Sequence, residues 1–204
     1  LKSLGGPDIL VLVSARPPNP LRETLKEDDQ SRWDQAYRAQ LWSMIDLVTV
    51  TVPQMLDRGW GRIVAVTSAS AKQPMAVHAL STVFRAGLTA YMKGLAAEVA
   101  PHGITVNCVA PALIDTSHRQ GNAAYTKDQA DHRKTLTPMG RMGTQEELCG
   151  VIAFLASRQA GFVTGSTLAL KFGLSILTSF TSRPSPEFLI TMMVRVTGDA
   201  DLSS

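Results

Sequence analysis

Arg62-Ile-Val-Ala-Val-Thr-Ser68 is the stretch on which the reading of the fold turns. It is apolar without alternation and starts behind the turn Gly59-Trp60-Gly61. A run of this kind suits a strand buried on both faces, as in a parallel sheet covered by helices. Upstream of it, Tyr37, Leu41, Met44, Ile45, Val48, Val52 and Met55 recur at three- and four-residue steps. That spacing predicts a helix from Asp34 to Leu56, with Ser31-Arg-Trp-Asp34 as its capping box and Pro53 loosening its last turn. Further upstream, Gly5-Gly6-Pro7-Asp8 introduces another apolar run, Ile9–Ser14, and Pro17, Pro18 and Pro20 then impose an extended loop.

Downstream the alternation continues. A helix from Ser81 to Ala100 stops at Pro101-His102-Gly103, and Ile104–Ala110 reads as a third strand. Gly87 and Gly94 each cost that helix ~1 kcal/mol against Ala, which predicts a close contact on their face, within the chain or from a second subunit. Pro111–Thr137 is polar and mixed, a lid or a loop with short helices. Thr144-Gln-Glu-Glu147 is a capping box for a helix whose face carries Leu148, Val151, Ile152 and Leu155, and Phe162–Leu170 contains a last strand. Strand and helix in strict succession imply an α/β fold with a parallel sheet. Beyond Gly173 the composition shifts, and Phe188–Val196 is a short apolar patch without a clear partner.

Composition sets the outer limits. The chain has 204 residues, 45% hydrophobic and 18% charged, which suits one folded domain and excludes a disordered one. A net charge of +3 without clustered Lys and Arg gives no footprint for nucleic acid or an anionic membrane. Leu168–Phe180, interrupted by Lys171, is shorter than the ~20 residues of a membrane span, and no signal peptide is visible. Cys108 and Cys149 form neither a disulfide framework nor a metal motif; they read as two small buried hydrophobes, and a cytoplasmic, reducing setting is expected.

Three blocks then carry a family resemblance: Gly61-Arg-Ile-Val-Ala-Val-Thr-Ser68; Gly103-Ile-Thr-Val-Asn-Cys-Val-Ala-Pro111; and Pro138-Met-Gly-Arg141 with Glu146-Glu147, Phe154-Leu155-Ala-Ser157 and Val163-Thr164-Gly165. In order and spacing they resemble the short-chain dehydrogenase/reductase family, nearest its beta-ketoacyl-acyl-carrier-protein reductase-like branch, over about Leu4 to Gly173. The resemblance implies the C-terminal part of a doubly wound, Rossmann-type parallel sheet with helices on both faces. It also implies hydride transfer between NAD or NADP and a small-molecule carbonyl or alcohol, and a homo-oligomer built through the two long helices. The domain is expected over 1–173, with a divergent tail over 174–204.

Site residues carry over position by position. Carbonyl reduction builds negative charge on oxygen, which needs a hydrogen-bond donor and a proton source. The family supplies these with a Ser, a Tyr, and a Lys one helical turn on that lowers the Tyr pKa. Ser68 matches the Ser. The Tyr position falls on Ser81, the Lys position on Arg85, and the family's Asn on Gln40. A serine hydroxyl is a far weaker acid than a phenol, and Arg stays protonated, so a Tyr–Lys relay is absent. Arg85 is left to hold a ribose hydroxyl or act as a fixed charge. His78, one turn before Ser81, is the substitute acid that pKa alone would suggest.

On the cofactor side, Ser14 and Ala15 stand where the family has Asn-Asn-Ala-Gly. Pro111, Ile114 and Thr116 match its nicotinamide segment, with Ala112 replacing a Gly. The glycine-rich phosphate turn is absent, no metal site is expected, and the first three strand–helix units read as missing. Ile9–Ser14 would then be a bare apolar sheet edge, with its neighbour supplied by a segment upstream. The expectation is an NAD(P)-dependent oxidoreductase of 3-oxoacyl-reductase type, inactive or impaired as this piece. The alternative is a non-catalytic homologue acting as a binding or assembly module.

Overall fold

The computed structural model describes residues 6–115, 135, 137 and 139–170, and the backbone of 190–194. Strand β1 (Ile9–Val13) leads through a loop to a helical stretch in three parts: α1 (Gln30–Tyr37), a π-helical turn (Arg38–Trp42) and α2 (Ser43–Arg58). Strand β2 (Gly61–Val66), helix α3 (Ala79–Val99) and strand β3 (Ile104–Pro111) follow. Helix α4 (Gln145–Ala156), strand β4 (Thr167–Leu170) and strand β5 (Ile190–Val194) complete the described elements. The sheet order is β4-β3-β2-β1-β5, with β1 to β4 mutually parallel and β5 antiparallel to β1.

Both faces of β1, β2 and β3 are buried, as the unalternated runs predict, whereas β4 at the sheet edge alternates exposed and half-buried residues. Leu10, Leu12, Ile63, Ala65, Val106 and Cys108 face one way, into a core closed by Met44, Val48, Val52 and Met55 of α2 and Leu88, Met92, Ala96 and Val99 of α3. Val64 and Val109 face the other way and pack under Leu155 of α4. Each fully buried large aliphatic side chain contributes about 1.5–3 kcal/mol, so this two-sided burial is what holds the sheet. Arg62 fastens the layers at the amino end. Its Nε donates to the Ser157 carbonyl at 3.0 Å, and its Nη1 donates to those of Gly61 at 2.8 Å and Gly103 at 3.2 Å. Gly103 has φ +72°, and a Cβ there would lie 2.5 Å from the Gly59 carbonyl oxygen. Two connections cross at that point, and only glycine fits between them.

Several details differ from the expectation. The first long helix starts at Gln30, capped by Asp29, whose carboxylate accepts from Ser31 N at 3.0 Å; the Ser31–Asp34 box is not used. Gly94 has nothing within 4 Å of a built Cβ, and Gly87 meets Leu41 only at 3.6 Å, so neither marks a close approach among the described residues. Cys108 is buried, and its burial pushes the thiol up to about 11, but Cys149 is exposed rather than buried. The edge of β1 is not bare: Ile9 to Val13 pair with Val194 to Ile190, so the neighbour comes from downstream and the apolar patch in the tail has a partner. Most of the Pro111–Thr137 segment lies outside the described residues, and no helix among them is long and apolar enough to cross a membrane.

Candidate functional site

The carboxyl ends of β1, β2 and β3 come together on one rim of the sheet, which is where ligands bind in open α/β sheets. Ser68 stands two residues past β2. Its backbone is extended, and it caps the short helical turn Ala69–Ala71. Its Oγ accepts from Ser70 N at 3.2 Å and from Ser70 Oγ at 2.9 Å. A hydroxyl so held is oriented, and its own proton remains available to a substrate oxygen. Ser70 is a residue the sequence reading missed; a serine two positions past Ser68 is the local signal that could have shown it.

Ser81 and Arg85 lie one turn apart on α3, both buried. Arg85 is not turned toward an open site. Its Nη1 donates to the Val66 carbonyl at 2.7 Å and to that of Thr67 at 3.2 Å, and its Nη2 reaches that of Ala15 at 3.5 Å. The guanidinium thus ties the end of β1 to the end of β2, directly before Ser68. Burial pulls its pKa down to about 10, which leaves it charged at neutral pH. His78 directs Nδ1 at the Ala76 carbonyl, 2.7 Å away; since a carbonyl only accepts, that nitrogen donates to it. The preceding Val77 has φ +55°, a costly conformation for a β-branched residue, in the loop that joins the Ser68 turn to α3.

Gln40 occupies the π-helical turn, completely buried, with neither amide atom bonded. Ser14 is buried at the end of β1, its Oγ without a partner. Pro111 pairs with Leu170, and Ile114 forms a bridge with Gly143, fixed by Gly143 N to the Leu113 carbonyl at 2.9 Å and Asp115 N to the Gly143 carbonyl at 2.8 Å. Thr116 lies outside the described residues. The structure therefore gathers Ser14, Ala15, Ser68, Ser81, Arg85 and Pro111 at or next to one rim.

A family model described as enoyl-(acyl carrier protein) reductase matches residues 1–175. The chain belongs to the short-chain dehydrogenase/reductase family. Among curated relatives of this family, nodulation protein G of Azospirillum brasilense is 35% identical over 72% of this chain and 58% of its own length. Acetoacetyl-CoA reductase of Cupriavidus necator is 34% identical over 70% of this chain and 56% of its own length. The chain thus spans under three fifths of either relative. Among solved structures, a 3-oxoacyl (acyl-carrier-protein) reductase from Agrobacterium tumefaciens C58 with NADP bound superposes with a TM-score of 0.77 at 29% identity, covering 85% of this chain and 66% of that one. The family match stops at residue 175, so β5 lies outside it.

Proposed function

We propose that this chain is part of a short-chain dehydrogenase/reductase that uses NAD or NADP to interconvert a carbonyl and an alcohol, with a 3-oxoacyl thioester as the substrate class, and that its turnover is impaired. The observation that carries the reading is Ser68 on the carboxyl rim, oriented by Ser70 and with its own proton uncommitted. The family match and the relatives that reduce acetoacetyl and 3-oxoacyl groups support the substrate class.

The rim residues fit one half of a nicotinamide dinucleotide. By the resemblance, the Pro111–Ile114 segment would hold the nicotinamide end, and Ser14 and Ala15 would lie on the adenosine side. The fit ends there: among the described residues no glycine-rich turn opens a helix to meet the pyrophosphate. The dinucleotide, when bound, supplies the hydride. Ser68 would donate a hydrogen bond to the substrate oxygen and stabilise the charge that develops on it. Ser81 contributes no comparable acid, and Arg85 spends donors on main-chain carbonyls, which is the physical reason for impairment. That same observation favours the second reading, a non-catalytic homologue that assembles through α2 and α3. Val50 and Leu56 of α2 and Val83 of α3 are exposed apolar residues available to such an interface.

The test is a titration of NADPH and NADH fluorescence with the purified chain, then reduction of acetoacetyl-CoA. Binding with slow turnover that falls at least tenfold in Ser68→Ala supports the first reading. Neither binding nor turnover, with a dimer or tetramer by light scattering, supports the second.

A further inference from the structure

The Ser68 hydroxyl is gripped twice by one residue, and the grip decides what it can offer a ligand. Ser68 follows β2 in extended backbone, and the turn Ala69–Ala71 folds back over it, closed by Ala71 N to the Ser68 carbonyl at 3.1 Å. Inside that turn the Ser70 backbone N–H donates to Ser68 Oγ at 3.2 Å, and Ser70 Oγ lies 2.9 Å from the same oxygen. Helix α3 packs against the turn, and Ser70 is only 1% exposed.

That burial fixes the direction of the bond between the two hydroxyls. Ser70 Oγ has no other partner among the described residues. Were Ser68 the donor, the Ser70 proton would be left buried and unbonded, the costly arrangement. Ser70 is therefore the donor. A serine oxygen has two acceptor lone pairs, and here the Ser70 N–H takes one and the Ser70 hydroxyl the other. Ser68 is left able to donate and unable to accept. Two donors on one oxygen also polarise its own O–H and strengthen it toward a ligand.

A ketone and the alcohol made from it differ in this respect. The ketone oxygen, and the charge that builds on it, needs only a donor. The alcohol has a proton of its own to place, and Ser68 has no lone pair free to receive it.

We infer that Ser70 is a specificity-determining residue: by saturating Ser68 Oγ it makes the site select the carbonyl form of its substrate over the alcohol form. This rests on the proposed oxidoreductase reading and adds to it a preferred ligand. The probes are acetoacetyl-CoA and the two enantiomers of 3-hydroxybutyryl-CoA, which share everything except the groups at the reacting carbon. Binding to the full chain is measured by calorimetry without a nicotinamide dinucleotide, so turnover does not enter. The parent chain should bind the ketone about tenfold more tightly than either alcohol, the usual effect of one polar proton left unplaced. Ser70→Ala keeps the backbone N–H and returns one lone pair to Ser68. It should bring the affinities within about threefold of each other, chiefly by tightening the alcohol. Ser70→Thr, which keeps the hydroxyl, should retain the parent ratio; if it does not fold, Ser70→Ala decides alone. A gain in alcohol affinity is a result that a merely structural serine would not produce. If Ser70→Ala weakens ketone and alcohol in proportion, or leaves their ratio unchanged, Ser70 only holds the turn and the inference is overturned while the oxidoreductase reading stands. A parent chain that binds neither thioester removes the substrate class, and the inference with it.

Discussion

At position 85 a guanidinium stands where the family resemblance calls for a lysine ammonium, and its planar fork explains what it does instead. A lysine offers one compact charged centre; Arg85 spans three main-chain carbonyls at the ends of two strands. Position and residue type at Ser68 were both legible, since Ser68 closes an apolar run. The use of Arg85 was not, because an arginine serves a ribose or a main chain equally well until packing chooses. Another single-residue effect lies at Glu147. The Arg141 guanidinium beside it, with Nη1 at 2.8 Å, and the Thr144 backbone N–H at 2.8 Å hold its pKa down to about 2. A carboxylate with a depressed pKa stabilises the fold above its ordinary pKa near 4.5 and ceases to do so as pH falls from there through about 2. Glu147→Gln keeps a capping side chain but loses the charge. Its unfolding midpoint in urea should therefore fall less than that of the parent chain between pH 6 and pH 3. Parallel curves would mean that the pair contributes nothing.

Helices show how local signals are overruled. Asp29 and Ser31 are both good caps, and the helix takes the earlier one because the Asp29 carboxylate reaches the free Ser31 N–H. Nothing in the pattern announced the π-helical turn at Arg38–Trp42, which places Gln40 inside; the extra residue per turn is affordable only where tertiary packing holds it. Helix α3 is the element where catalysis is most open to test. Its positions 81 and 85 keep the one-turn spacing that a Tyr–Lys pair requires. Ser81→Tyr with Arg85→Lys should raise kcat/KM for acetoacetyl-CoA with NADPH by about 10²–10⁴-fold, the usual contribution of a placed general acid. The same double variant should be less stable, since one ammonium cannot replace the bonds to three carbonyls. Unchanged turnover in a folded variant that binds NADPH would show that proton supply is not what limits this site.

Over the whole molecule, the four parallel strands run in one direction across the sheet, and β5 closes the edge they leave. In the doubly wound strand order 3-2-1-4-5-6, the strand beside the fourth is the one that carries the phosphate turn. An antiparallel strand from beyond the family match takes the edge of β1 here. An uncovered apolar parallel strand is a template for pairing with another chain. Removing residues 174–204 should therefore cause self-association, read by light scattering, together with faster amide exchange across Ile9–Val13. A monomeric truncated chain with unaltered exchange would show that β5 does not protect that edge.

Burial of a strand on both faces needs an unbroken apolar run, and an amphipathic helix needs its three- and four-residue repeat. The sequence by itself therefore determined the α/β alternation, the parallel core strands and the place of Ser68, since each depends on near neighbours along the chain. The partner of β1 and the carbonyl-bound guanidinium of Arg85 join residues tens of positions apart. Pairing and desolvation at such separations are settled only when the layers pack, and so the tertiary structure alone decided them.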